Sequence, residues 1–242
     1  MKTLINKVFS KFGYKINRIK KYEKDTIIFL HIGKNAGTQI MNLASQLEFY
    51  GINIEKFQHY EKFDSLPLGN KYFFSIREPI SRFKSGFYSR KREGMPRHYS
   101  KWSEHEQIAF KNFKTANDLA ESLFKNTKMG YLAAQAIQSI THTSMHQIDW
   151  FNKYAFFELN PPIWIIRQEN FVEDFDKFLI KLGLKINSKD LNILTDDIGS
   201  HKNKYDKKIE FSDLAVSNLK RWYARDYIFY DICNNWIKCN CD

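Results

Sequence analysis

Residues 26–38 read Thr-Ile-Ile-Phe-Leu-His-Ile-Gly-Lys-Asn-Ala-Gly-Thr, and no other stretch of the chain limits its fold so strongly. A short apolar run rich in β-branched residues stops at Gly33-Lys34, a loop of small residues follows, and a helical pattern opens at Thr38. The pattern predicts a strand, a tight turn and a helix N-terminus. Such a turn offers main-chain N–H groups and the positive end of a helix dipole to an anion, and Lys34 adds a full charge. The chain is expected to open its fold with a phosphate cradle. This segment alone leaves open a glycine turn carrying a surface lysine.

The cradle departs from the nucleoside-triphosphate loop, Gly-x-x-x-x-Gly-Lys-Ser/Thr, in which the lysine comes late. Here Lys34 directly follows Gly33 and stands three residues before Gly37. No second acidic segment reads as a magnesium-holding strand end, which a metal-dependent kinase needs. The loop reads as phosphate-binding without a metal.

A second segment, residues 71–88, reads Lys-Tyr-Phe-Phe-Ser-Ile-Arg-Glu-Pro-Ile-Ser-Arg-Phe-Lys-Ser-Gly-Phe-Tyr. Another apolar strand ends at Arg77, and Pro79 suits the first turn of a helix, where its missing N–H costs nothing. Arg77 then sits at a strand end, with Ser85 about two helical turns on. A guanidinium fork and a hydroxyl so spaced can grip one phosphate, and Arg82 is a further candidate. Taken singly, each can equally be a solvated surface residue.

Together, Phe-Leu-His-Ile-Gly-Lys-Asn-Ala-Gly-Thr (29–38) and Ser-Ile-Arg-Glu-Pro-Ile-Ser-Arg-Phe-Lys-Ser-Gly-Phe (75–87) resemble the sulfotransferase family. The likeness is nearest to the carbohydrate branch that includes the heparan-type 2-O-sulfotransferases. The resemblance implies 3′-phosphoadenosine-5′-phosphosulfate (PAPS) as donor, 3′-phosphoadenosine-5′-phosphate (PAP) as product, and no metal. It assigns Gly33, Lys34, Asn35, Ala36, Gly37 and Thr38 to the 5′-phosphosulfate loop, with Thr38 capping the helix. Arg77 and Ser85 become the 3′-phosphate clamp, and their spacing of eight residues matches the family's. The family often has proline where this chain has Gly33, and Thr or Ser where it has Asn35. A weaker likeness covers Trp164–Phe175 and Trp222–Phe229, so the whole spans residue 26 to about 232. Lys202 and Lys204 can close over the nucleotide, as basic late loops do in the family.

A chain of 242 residues can bury a substantial core as one α/β domain, residues 26–235. Strands are expected at 26–31, near 53–58, at 71–76 and near 163–167. Helices are expected at 38–49, 80–91, near 104–112, 116–125 and 129–139, at 171–182, and as one long helix at 212–235. Alternating strands and helices imply a P-loop-like, mostly parallel sheet with helices on both faces. Lys34 and Arg77 then fall at the carboxyl ends of strands, where ligands of such sheets sit.

The net charge is +11, yet no zinc-finger spacing, RNP motif or clear helix-turn-helix points to nucleic acid. An anionic donor and an anionic glycan account for the charge as well. Arg90, Lys91, Arg92, Arg97, His98, Lys101 and Trp102 form a candidate acceptor loop, with cations for acidic sugars and an indole for stacking; a plain solvated loop is the alternative. Residues 1–25 place Leu4, Ile5, Val8, Phe9 and Phe12 at helical spacing among lysines, a pattern that suits peripheral contact with an anionic membrane or packing on the domain. No run has the length of a membrane span, and no signal peptide is apparent. Cys233, Cys239 and Cys241 match neither a zinc pattern nor a disulfide framework, so reduced thiols, a cytoplasmic protein and a frayed tail at 236–242 are expected.

Sulfuryl transfer needs a base for the acceptor hydroxyl and stabilisation of the leaving phosphate. Lys34 can supply the second. His59, after the second strand, is the expected base; the resemblance supports it by position, and Glu55 and Glu61 stay as alternatives. His98 and His105 can contact substrate, and His31 reads as a packing residue. Two other classes remain: a nucleotide phosphotransferase, and a non-catalytic anion-binding protein on the same fold.

Overall fold

The computed structural model describes residues 25–58, 61–66, 69–96, 98–151, 160–192 and 210–241. Strands β1 (Ile27–Leu30), β2 (Ile54–Lys56), β3 (Tyr72–Ile76) and β4 (Ile165–Arg167) form a sheet in the order β2-β1-β3-β4, parallel throughout. Every residue of β1 and β3 is buried, as expected of continuous apolar runs covered on both faces. The helices are α1 (Gly37–Leu47), α2 (Pro79–Lys91), α3 (Glu104–Asn112), α4 (Ala116–Ser122), α5 (Lys128–Ser139), α6 (Phe171–Lys181), α7 (Asp213–Trp222) and α8 (Ala224–Cys239).

Alternation along β3 distributes its aromatic rings to opposite faces. Phe73 meets Phe178 of α6 at a centroid distance of 4.3 Å and stacks on Phe29 at 5.0 Å. Phe74 points the other way, to Phe151 at 4.9 Å and Phe229 of α8 at 6.3 Å. Helices therefore cover both faces. A second apolar cluster lies away from the sheet and joins Phe83 and Phe87 of α2 to Phe110, Leu119, Ile137, Leu219 and Tyr223.

The topology fixes one place for a ligand. From β1 the chain turns through α1 toward β2; from β3 it leaves toward β4 on the opposite side. Adjacent strands with diverging connections leave a crevice at their carboxyl ends, and ligands of parallel sheets occupy that crevice. The turns at 31–36 and 77–78 line it.

The expected single helix at 212–235 is two helices. The chain breaks at Tyr223 (φ −95°, ψ 24°), whose buried ring sends its hydroxyl to the Thr143 carbonyl at 2.7 Å. Neither glycine nor proline marks the break; a tertiary anchor makes it. The last helix also runs past the expected end to Cys239, because Ile237 is buried in the sheet core. The fourth helix stops at Ser122, short of the expected 125, with Phe124 left-handed just beyond. The basic amphipathic pattern of residues 1–25 lies, but for Asp25, outside the described residues. Among the described residues, no helix is long and apolar enough to cross a membrane.

Candidate functional site

The turn after β1 is built on unusual backbone. Lys34 (φ 71°) and Ala36 (φ 60°) both lie in the left-handed region, which costs an L-residue roughly a kcal/mol each and concentrates where function requires it. Ala36, not Thr38, is the N-cap of α1; it gives no side-chain acceptor, and the first turn holds no acid. Thr38 lies inside the helix. The N-cap residue thus supplies no side-chain acceptor to the opening N–H groups of α1, the groups that a helix start can offer to an anion. Gly37 is required by close approach: a Cβ there would lie 2.1 Å from His31 Nε2. His31 is buried, with its ring 5.4 Å from that of Phe29, a packing residue as expected.

The Lys34 side chain has no carboxylate partner among the described residues. Burial, with Arg77, then Arg92 and Arg82 nearby, pushes its pKa down to about 8. Lys84, half-buried on α2, is held low too, by burial and then by Arg77. A desolvated lysine among arginines is relieved by losing its proton or by a bound anion.

The turn after β3 is built conventionally. Glu78 caps α2, accepting from Ile80 N at 3.1 Å and Ser81 N at 2.7 Å, with Pro79 in the first turn. Tyr227 of α8 donates to Glu78 Oε1 at 2.6 Å, and Glu169 Oε1 accepts from Glu78 N at 2.9 Å. Arg77 lies at the strand end, its Nε 2.9 Å from Ser81 Oγ and its Nη1 3.4 Å from the Lys34 carbonyl. Lys34 and Arg77, separate in sequence, therefore converge on one crevice. Ser85 lies a turn beyond Ser81 on α2, 9% exposed.

Several residues stand where sequence reasoning did not put them. Asn35 faces inward, fully buried; its Nδ2 donates to the Ser75 carbonyl at 2.9 Å and to Gln147 Oε1 at 2.7 Å, while Ser75 Oγ donates to the Asn35 carbonyl at 2.5 Å. Its amide nitrogen ties the loop to β3 and to Gln147, while Oδ1 is buried without a hydrogen-bond partner among the described residues. Arg82 is buried too: Nε donates to the Gly33 carbonyl at 3.0 Å and Nη1 to the Met145 carbonyl at 2.8 Å. It buttresses the loop from behind, with Nη2 buried and without a hydrogen-bond partner among the described residues. Arg90 forks onto Glu106, both bonds at 2.7 Å, and also donates to the carbonyls of Ser100 and Lys101. That fork holds the Glu106 carboxyl down at about 2 against the effect of burial. Trp102 donates to the Arg90 carbonyl at 2.6 Å and tilts onto Phe110 at 5.0 Å. Arg90 is buried in this pairing, whereas Trp102 is half-buried. Arg92 and His98 are exposed.

His59, Arg97, Lys202 and Lys204 lie outside the described residues. Phe57, just past β2, donates to the Phe29 carbonyl at 3.0 Å. Of the alternatives, Glu61 accepts from Gln58 N at 2.6 Å, and Glu55 is half-buried on β2.

Sequence reasoning missed Gln147, Asp226 and Glu106. The sequence Ser103-Glu-His-Glu106 is a capping box and signals a committed carboxylate, as the geometry shows. Lone polar residues such as Gln147 and Asp226 carry no such signal. No protein-family model matches the chain, and no curated protein matches it.

Proposed function

We propose that the chain is a sulfotransferase that moves a sulfuryl group from PAPS to a carbohydrate hydroxyl. The observation that carries this reading is Lys34: desolvated, crowded by arginines, without a carboxylate partner among the described residues, and set where two diverging connections open a crevice. Such a site favours a multiply charged anion. The resemblance of the two turns selects PAPS among such anions.

In this reading the acceptor oxygen attacks sulfur in line, and the bond from sulfur to the bridging oxygen of the 5′-phosphate breaks. PAP leaves with the negative charge. Lys34 and the opening N–H groups of α1 stabilise that charge. Arg77 and Ser85 hold the 3′-phosphate. The acceptor proton passes to a base, assigned from the sequence to His59. With Arg90 committed to Glu106, Arg92, His98 and Lys101 are exposed groups of that loop, among the described residues, that can meet an acidic sugar beside the half-buried Trp102.

Titration calorimetry with PAP, ADP and ATP-magnesium tests the reading. The expected result is PAP binding that needs the 3′-phosphate and weakens about tenfold to a hundredfold in Arg77→Ala, the range of a charged hydrogen bond. Preference for ATP-magnesium would move the site to phosphotransfer. PAP binding without sulfuryl turnover on any acceptor, and unchanged in His59→Ala, would make it a non-catalytic anion site.

A further inference from the structure

We propose that Gln147 is a positioning residue that sets the register between the two cationic turns; this rests on reading the turns as halves of one anion site. Gln147 belongs to neither motif, 112 residues from Asn35 and 70 from Arg77. It is fully buried. Its Oε1 accepts from Asn35 Nδ2 at 2.7 Å in the first turn and from Arg77 N at 3.0 Å in the second. Its Nε2 donates to the Arg77 carbonyl at 2.8 Å. One amide thus holds both sides of Arg77 and the side chain that pins the Lys34 loop.

Gln147 is itself fixed. Asp226 Oδ1, in the first turn of α8, accepts from Gln147 N at 2.7 Å and from Ile148 N at 3.3 Å. Burial pushes the Asp226 carboxyl up, against the pull of Arg82 and His146. Arg82 in turn supports the Gly33 carbonyl. The last helix, Gln147 and the two turns form one continuous buried polar network, of the kind in which removing a member costs more than its own bonds.

A group that only adds stability affects every ligand equally. A group that sets register affects ligands that must reach both turns and spares those that need one. PAP spans both turns, and inorganic sulfate occupies one. In Gln147→Met, which keeps the side-chain volume without hydrogen bonds, PAP affinity is expected to fall about tenfold or more, within the usual range of coupling between sites. Sulfate affinity is expected to change less than about twofold, a margin below that range. Thr143→Val serves as control: Thr143 Oγ1 bonds the Ile137 and Ile140 carbonyls, so its loss lowers stability in the same neighbourhood without touching either turn. Equal PAP-to-sulfate ratios in Gln147→Met and Thr143→Val would overturn the inference. If Gln147→Met does not fold, Gln147→Asn, which keeps the amide but is too short to reach both turns, takes its place with the same expected ratio.

A wild-type protein that does not prefer PAP to sulfate would sink the sulfotransferase reading and leave this inference to amide hydrogen exchange. There, residues 33–38 and 77–81 should open together in Gln147→Met and stay protected in Thr143→Val. Separate opening, or none, would overturn it.

Discussion

The turn after β1 and the turn after β3 face the same crevice and are built in opposite ways. The first has two left-handed non-glycine residues, a helix start without a side-chain cap and a lysine without a carboxylate partner among the described residues. The second has a proline-led helix, a glutamate cap bonded twice to main-chain N–H groups, and a tyrosine behind that cap. In the proposed reading one turn offers its backbone to a ligand, while the other is capped internally and offers a side chain. Binding determinants and stability determinants would then be divided between two turns that touch.

Substitutions that move strain or capping from one turn to the other test this division. The largest effect is expected from Gly37→Ala. A methyl group 2.1 Å from the buried His31 ring must displace the ring or the start of α1, so PAP binding should be lost and the melting temperature should fall by several degrees. Retained binding in calorimetry would show that the first turn tolerates movement. Glu78→Ala should do the reverse, costing about 1–2 kcal/mol in denaturant unfolding through the lost cap, with PAP affinity nearly unchanged.

The third expectation concerns pH. Lys34 is depressed to about 8 from an ordinary value of 10.5. Below about pH 8 the folded and unfolded chains both carry this proton, and the cost of burying the charge is fully present. Between about 8 and 10.5 the unfolded chain binds more protons, so this group's contribution to stability rises with pH. A bound dianion stabilises the protonated lysine, so PAP affinity should fall as pH rises above about 8 and should flatten in Lys34→Met. The smallest effect is expected from Ala36→Gly. Relief of a left-handed residue should raise or hold stability within about 1 kcal/mol and leave PAP affinity near wild type.

Much of the scaffold was legible because strands and helices announce themselves by run length and punctuation. Ile27–Leu30 and Tyr72–Ile76 stop at Gly33-Lys34 and at Arg77-Glu-Pro, and the structure places both stops in one crevice. Side-chain direction in a turn has no such signal. Asn35 and Arg82 sit in or beside the expected site, yet both are buried, because their partners, Gln147 for Asn35 and the Gly33 and Met145 carbonyls for Arg82, are distant in sequence and spacing cannot encode them. Arg90 looked like a free cation because its partner, Glu106, is 16 residues away on the next helix. Tyr223 breaks a helix whose local sequence favours continuity, since its hydroxyl bond to Thr143 spans 80 residues. The misreadings share one cause: long-range polar contacts decide them.

The same long-range contacts give the site an order of assembly. β1 pairs with β3 across the intervening β2 unit, so the two turns can meet only after the third strand arrives. Gln147 then waits for Asp226, 79 residues later, and Glu78 waits for Tyr227, 149 residues later. During synthesis the crevice is therefore completed only after α8 has emerged, long after its lysine loop. A ribosome-bound chain lacking α8 would carry the charges of the site without its registration, and ligand capture would report that the final helix has docked.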